Sequence, residues 1–161
     1  MINAVEKTNV LRLLDSKKIE YTVFQTALDS THSASEVALD LGKDVSVVYK
    51  TLVTTSKSNK NYVFVVAADK ELNLKKCAKA VGEKSVEMLK SKLLLGLTGY
   101  IHGGCSPFMM KKQFTTVFDI DAKNHEKILV NAGKIGTLVE LKVSDIEKLI
   151  RVSFQDIADF S

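Results

Sequence analysis

Two apolar, β-branched runs constrain this chain most: Val47 to Thr55 and Tyr62 to Ala68, separated by Lys57-Ser58-Asn59-Lys60-Asn61. Strand-forming residues crowd both runs, and the polar residues between them tolerate tight backbone geometry, so the segment predicts a β-hairpin. Other strands are expected at Tyr21 to Phe24, Lys84 to Met88, Thr115 to Ile120, Ile128 to Val130 and Thr137 to Leu141, with Gly133 and Gly136 as turn residues.

Helices are expected between these strands. Asn3 with Glu6 suggests a helix start, with Val5, Leu11 and Leu14 at roughly helical spacing as far as Lys17 and Lys18. Ser33-Ala34-Ser35-Glu36 has capping-box spacing ahead of Val37, Leu39 and Leu41, and Gly42 stops that helix. Leu74, Cys77, Ala78 and Val81 share one helical face, opened by Asn73 and closed by Gly82, which makes Cys77 a small core residue. Ser91 to Leu97 reads as a further helix, and Ser144-Asp145-Ile146-Glu147 has the capping-box pattern of another. Strands in hairpins with helices placed irregularly between them describe one α+β domain over residues 1 to 161, not the regular alternation of a doubly wound fold.

With 161 residues, 45% hydrophobic and 26% charged, the composition is that of a globular chain with enough material for one core. The N-terminus lacks a basic segment followed by an apolar run, and stretches such as Val63 to Ala68 and Leu93 to Leu95 are too short to span a bilayer. A soluble protein of the cytoplasm, with no membrane association, is the expectation. Cys77 and Cys105 form neither a disulfide framework nor a CxxC motif, which suits a reducing compartment. The formal charge of +4 comes almost wholly from lysine, since Arg12 and Arg151 are the only arginines; mild basicity suits a polyanionic partner without proving one.

Two features stand out chemically. Lys50 interrupts the apolar run Val47-Val48-Tyr49-Lys50-Thr51-Leu52-Val53, where a charge among apolar neighbours is costly without a partner or ligand. Taken alone, Lys50 fits either a ligand site or an edge-strand lysine that reaches to water. In a chain with eight glycines and one proline, Gly99, Gly103, Gly104 and Pro107 fall within nine residues. Such a loop offers backbone amides without Cβ crowding, suited to gripping a carbonyl, carboxylate or phosphate oxygen, though glycine richness alone fits a tight structural loop equally well. Neither a P-loop nor a dinucleotide fingerprint is present. Cys105 and His102 are too close along one loop to suggest a nucleophile pair, and His32, His102 and His125 lack zinc-ligand spacing, so neither a metal nor a cofactor is expected.

Taken in order, Val48-Tyr49-Lys50-Thr51-Leu52, Leu72-Asn73-Leu74-Lys75-Lys76, Gly99-Tyr100-Ile101-His102-Gly103-Gly104-Cys105-Ser106-Pro107 and the Gly133 to Glu140 turn and strand resemble the YbaK/EbsC aminoacyl-tRNA deacylases. These are relatives of the editing domain of bacterial prolyl-tRNA synthetases, and the motifs are similar to the Cys-tRNA(Pro) deacylase branch. The resemblance implies a mixed, largely antiparallel sheet flanked by helices, with a pocket for the 3′ end of a mischarged tRNA(Pro). It places the family's substrate-positioning lysine on Lys50 and the backbone donor to the ester carbonyl on Gly103. Thr51, Tyr100, Gly104 and Ser106 fall among the implied substrate-binding residues, with the Gly104 amide also available to polarise the carbonyl.

In that branch the substrate's own thiol attacks its ester, and prolyl-tRNA synthetase is an expected partner. The alternatives are an Ala-tRNA(Pro) deacylase that activates water and a non-catalytic module that binds tRNA or synthetase. Three departures bear on the pocket's shape: Met109 where relatives have glycine, Ile135 where a basic residue is frequent, and Thr26 in place of a tyrosine.

Overall fold

The structure, a computed structural model, describes residues 6 to 161. Helix α1 spans Asn9–Ser16, with the Thr8 hydroxyl accepting from the Leu11 N–H at 3.3 Å. The expected start at Asn3 and the apolar position Val5 lie outside the described residues. Strand β1, Tyr21–Gln25, leads to α2, Ala34–Asp40, whose expected capping box forms reciprocally between Ser33 and Glu36. The hairpin follows as β2, Tyr49–Ser56, and β3, Asn61–Ala67, registered from Tyr49 opposite Ala67 to Thr55 opposite Asn61.

Strand β4, Lys70–Leu72, precedes α3, Leu74–Val81, which runs from an Asn73 cap to Gly82 in the left-handed region, as its sequence predicts. Then come β5, Val86–Met88, a 3₁₀ turn at Ser91–Leu93 and α4, Leu94–Thr98. Strands β6, Thr115–Asp119, β7, Lys127–Lys134, and β8, Thr137–Lys142, are followed by β9, Val152–Gln155, and β10, Ala158–Phe160. A 3₁₀ helix, Val143–Lys148, stands where Ser144 was expected to cap a helix. Val143 and Ile146 bury directly after β8, which puts Ser144 inside the element instead of ahead of it.

The α+β class holds, but the strands divide among three sheets. The largest has the order β5-β2-β3-β6-β9, with β3, β6 and β9 parallel and β5, β2 and β3 antiparallel. A second is antiparallel, β1-β8-β7, and β4 pairs with β10 in a third. The two larger sheets are stitched together where the Leu129 N–H donates to the Val47 carbonyl and the Ala68 N–H to the Val48 carbonyl, each at 2.8 Å.

Alternation along the strands explains the layering. Val63 and Val65 of β3, Val130 of β7 and Val139 of β8 turn into one core with Val10, Leu11 and Leu14 of α1. The intervening Phe64 and Val66 face Cys77 and Ala78 of α3, while Leu129 and Leu138 face Ala38 of α2. Burying an apolar side chain of this size contributes about 1.5–3 kcal/mol, so three apolar layers hold the two sheets and their helices in place. Near the β4–β10 edge, buried Lys70 donates to Asp119 of β6 at 3.1 Å and also pairs with Asp121, while its ammonium lies over the Phe160 ring. A buried ammonium is tolerable there because two carboxylates and an aromatic face surround it. Among the described residues no helix is long and apolar enough to cross a membrane.

Candidate active site

A cavity of about 360 Å³ opens beside β2. Its walls come from Val48 to Val53, the loop from Thr26 to Ser33, the start of α2, the Met88 to Leu94 segment, the glycine loop around Gly103 and the β7–β8 hairpin. The uncovered edge of β2 accounts for its position. Because the Val48 carbonyl faces β3, antiparallel alternation turns the N–H and C=O groups of Tyr49 and Thr51 the other way. On that side β5 covers only Thr54 to Ser56, followed by a Leu89 N–H that donates to the Val53 carbonyl at 3.0 Å.

Lys50 and Thr51 both border the cavity, and among the described residues that do so Lys50 is the only lysine or arginine. The Lys50 side chain is 22% exposed, and its Nζ donates to Glu71 Oε1 at 3.3 Å. Glu71 is largely exposed, so the pair is weakly held and open to exchange for an anionic ligand. The Thr51 hydroxyl is buried without a partner among the described residues, as is the Tyr49 hydroxyl, whose burial pushes its pKa up. An unsatisfied buried hydroxyl costs about 1–3 kcal/mol, so Thr51 is a group that a bound polar atom would stabilise.

Gly103 borders the cavity with φ +84°. A Cβ at this position would lie 2.7 Å from the Ser30 Cβ and 3.0 Å from its Cα, so the loop packs against residue 30 only because residue 103 has no side chain. The Gly103 carbonyl accepts from Asn131 Nδ2 at 3.0 Å, whereas its N–H meets no acceptor among the described residues. That amide is therefore available to a ligand.

The other implied contacts lie behind this wall. The Gly104 N–H donates to the Ile101 carbonyl at 2.9 Å, and Gly104 is buried against the Ile135 backbone, so its amide is not available to polarise a substrate carbonyl. Ser106 is fully buried, its hydroxyl accepting from the Phe108 N–H at 3.2 Å. The Tyr100 hydroxyl donates to the Phe108 carbonyl at 2.5 Å, and burial raises its pKa to about 12. Tyr100, Gly104 and Ser106 do not border the cavity; their polar groups fold the loop that carries Gly103.

Cys105 and His102 do border it. Burial pushes the Cys105 thiol up to about 12, which leaves almost no thiolate near neutrality, and no hydrogen bond joins it to His102 among the described residues. Among the described residues no three His, Cys, Asp or Glu side chains converge as a possible metal set. Of the departures, Ile135 and Thr26 line the cavity, while Met109 lies outside it with φ +60°, the left-handed backbone that glycine adopts without strain.

Two features escape the sequence. Asn131 Nδ2 donates to the carbonyls of Gly103 and Lys134, and its Oδ1 accepts from the N–H groups of Gly133 and Lys134, at 2.6–3.1 Å. One amide side chain thus ties the hairpin turn to the glycine loop. On the opposite flank of Gly103, His32 Nδ1 lies 3.1 Å from Asp29 Oδ1, with both residues bordering the cavity. Nothing in the spacing of polar residues within a loop marks either arrangement.

Residues 29–149 match the family described as the aminoacyl-tRNA editing domain. Over 153 residues, covering 94% of this chain and 93% of the relative, the sequence is 42% identical to EbsC of Enterococcus faecalis, a protein assigned as a Cys-tRNA(Pro)/Cys-tRNA(Cys) deacylase. Among solved structures, hypothetical protein APE2540 superposes with a TM-score of 0.84 at 21% identity, covering 93% of this chain and 99% of that one. A candidate trans-editing enzyme for prolyl tRNA synthetase superposes at 0.79 and 20% identity, covering 96% and 99%. At those identities the structural likeness speaks for the fold alone.

Proposed function

The chain belongs to the aminoacyl-tRNA editing domain family, and on that footing we propose that it hydrolyses Cys-tRNA(Pro), and Cys-tRNA(Cys) by the same chemistry, as an editing enzyme of the cytoplasm. One observation carries this reading: a single lysine and a free amide at a positive-φ glycine share a cavity whose one cysteine is held as the thiol. In this reading the whole of residues 1 to 161 acts as one editing domain, with mischarged tRNA as substrate and prolyl-tRNA synthetase as the partner that brings it.

Lys50 exchanges Glu71 for the terminal phosphate or ribose oxygens of the tRNA, acting as a compact positive charge that fixes the aminoacyl end. The Gly103 N–H donates to the ester carbonyl, where negative charge grows as the carbon becomes tetrahedral. The Thr51 hydroxyl gains a polar partner from the substrate. The substrate's thiol sulfur then bonds to its own carbonyl carbon, the bond to the ribose oxygen breaks, and the thiol proton passes to that oxygen. Free tRNA and a thiolactone result, and water opens the thiolactone to cysteine. An oriented internal nucleophile has an effective molarity of about 10⁵ M or more, so positioning alone supplies much of the rate.

A deacylation panel of Cys-, Ala-, Ser- and Pro-tRNA(Pro), with wild type and Lys50→Ala, tests the reading. Cysteine is released fastest, and Lys50→Ala slows that release by about a hundredfold, the scale on which loss of a transition-state electrostatic contact is felt. Equal cysteine release by the two proteins refutes the role of Lys50. Binding of tRNA without release of any amino acid refutes the enzyme.

A further inference from the structure

The two flanks of the cavity carry opposite charge. From Met88 to Phe118 the sequence has four lysines, Lys90, Lys92, Lys111 and Lys112, and neither aspartate nor glutamate. From Thr26 to Gly42 it has Asp29, Glu36 and Asp40, and neither lysine nor arginine. Both stretches border the cavity, the first through Ser91, Leu94 and Gly103, the second through Asp29 and Val37. The four lysines are exposed, and among the described residues none of them pairs with a carboxylate, whereas Lys43, Lys50, Lys70 and Lys76 do.

The fold gathers these lysines around α4. The Leu89 N–H ties the start of the stretch to the Val53 carbonyl of β2, and Lys90 and Lys92 then flank Ser91 at the cavity's rim. At the other end of α4, Gly99 adopts the left-handed region and the Lys111 N–H donates to the Thr98 carbonyl at 3.0 Å. The Lys111 side chain runs along Gly99, its Cγ 3.3 Å from where a Cβ would sit, so the missing side chain sets its course. The Lys112 ammonium lies 5.9 Å from the centre of the Phe114 ring. The five residues of α4 rise about 7 Å, so the lysines at its two ends stand at least about two nucleotides of a strand apart. Ammonium groups without carboxylate partners attract a polyanion, and the carboxylates of the facing flank repel it.

We infer that the flank from Met88 to Phe118 is the surface on which the tRNA lies: Lys90, Lys92, Lys111 and Lys112 contact phosphates of the strand whose aminoacylated 3′ end enters the cavity, and the carboxylates opposite keep that strand from the other side. The inference rests on the editing reading above and adds to it the path of the polynucleotide. Phosphate contacts carry no base information, so this surface takes the acceptor strand of any tRNA alike. Binding here releases counterions and weakens steeply as salt rises. The ester chemistry stays with Lys50 and Gly103, which these lysines do not touch.

The test uses the full chain with uncharged tRNA(Pro) and tRNA(Cys) across a salt series, and with Cys-tRNA(Pro) for kinetics. Two double variants, Lys90→Gln with Lys92→Gln and Lys111→Gln with Lys112→Gln, are compared with Lys127→Gln plus Lys142→Gln, which removes the same charge from the far end of the β7–β8 hairpin. At low salt each double variant of the flank binds both tRNAs at least about tenfold more weakly, and its plot of log affinity against log salt is shallower by about one per lysine removed. KM for Cys-tRNA(Pro) rises in step while kcat holds, and the hairpin variant stays near wild type. Losses no larger than the hairpin variant's overturn the inference, as does a fall in kcat with tRNA affinity unchanged. Unchanged tRNA affinity with lost binding of prolyl-tRNA synthetase also overturns it, and gives this surface, with its exposed Leu93, Leu95 and Ile101, to a protein. If the flank variants lose tRNA as expected but wild type releases no amino acid, this inference stands and the editing reading fails; if wild type releases cysteine and the flank variants bind tRNA as it does, the reverse holds.

Discussion

The backbone conformation of Gly103, its contact with Ser30 and its free amide all depend on the absent side chain. Gly103→Ala places a methyl 2.7 Å from the Ser30 Cβ, so one of the two loops must retreat, on top of the roughly 1–2 kcal/mol that an L-residue costs in the left-handed region. Gly42 separates the two effects: its φ is +68°, but a Cβ there meets nothing within 4 Å. Gly42→Ala should therefore lower the melting temperature by a few degrees and leave deacylation near wild type, whereas Gly103→Ala should lose at least about tenfold in rate beyond any stability effect. Equal rates in the two variants would mean that the position of the Gly103 amide does not matter. Lys50 and Gly103 stood out in the sequence because each breaks a local rule, a charge in an apolar strand and a glycine cluster in a glycine-poor chain. His32 and Asp29 break none, since polar residues three apart in a loop are ordinary, and only the fold brings them to the cavity wall.

At the scale of elements, legibility followed the locality of the stabilising contacts. Helix α3 could be read to the residue because its cap, its apolar face and its closing glycine lie within ten residues of chain. Strands β4, β9 and β10 could not, since they are short and defined by partners far away in sequence, Leu72 opposite Ala158 and Thr116 of the expected strand β6 opposite Val152. The β7–β8 hairpin lies between these cases. Its strands and glycines were visible, but the register shift between Asn131 and Lys134, and the four hydrogen bonds that Asn131 makes across it, depend on the folded turn. Asn131→Ala removes all four at once, and with net contributions of about 0.5–1.5 kcal/mol each, reduced by partial exposure, the loss is about 2 kcal/mol. Deacylation should fall by more than in Gly42→Ala at a temperature where both variants are folded, because the Gly103 carbonyl has lost its donor. Thermal melts and single-turnover rates on the two variants check this, and a stability loss with no loss of rate would reduce Asn131 to a brace for the turn.

For the molecule as a whole, the groups that the three-layer fold buries predict a stability profile weighted against alkali. Burial pushes the thiols of Cys77 and Cys105 from an ordinary 9.0 up to about 12, and raises the Tyr100 phenol from 10.0 to about 12. Tyr62, which donates to Glu83, rises to about 12 as well, chiefly through that hydrogen bond. In each case the folded chain holds its proton at a pH where the unfolded chain has released it. Stability is thus fully present below the unfolded values and declines as pH rises from about 9 towards 12. For each such group, every pH unit within that window removes about 1.4 kcal/mol, so the two thiols together remove on the order of 3 kcal/mol by pH 10. The tyrosines steepen the decline above that. Thermal melts from pH 7 to 11 should show a plateau followed by this fall. Cys77→Ala, which removes one thiol from the α3 layer, should start from a lower melting temperature and fall less steeply between pH 9 and 11. A parallel curve for that variant would show that the buried thiols do not set the alkaline limit. The site shares this sensitivity, because Cys105 both borders the cavity and packs in the core. Loss of deacylation above pH 9 should therefore track loss of folded protein in circular dichroism, and activity that disappears while the signal persists would place the titrating group in the cavity instead of the core.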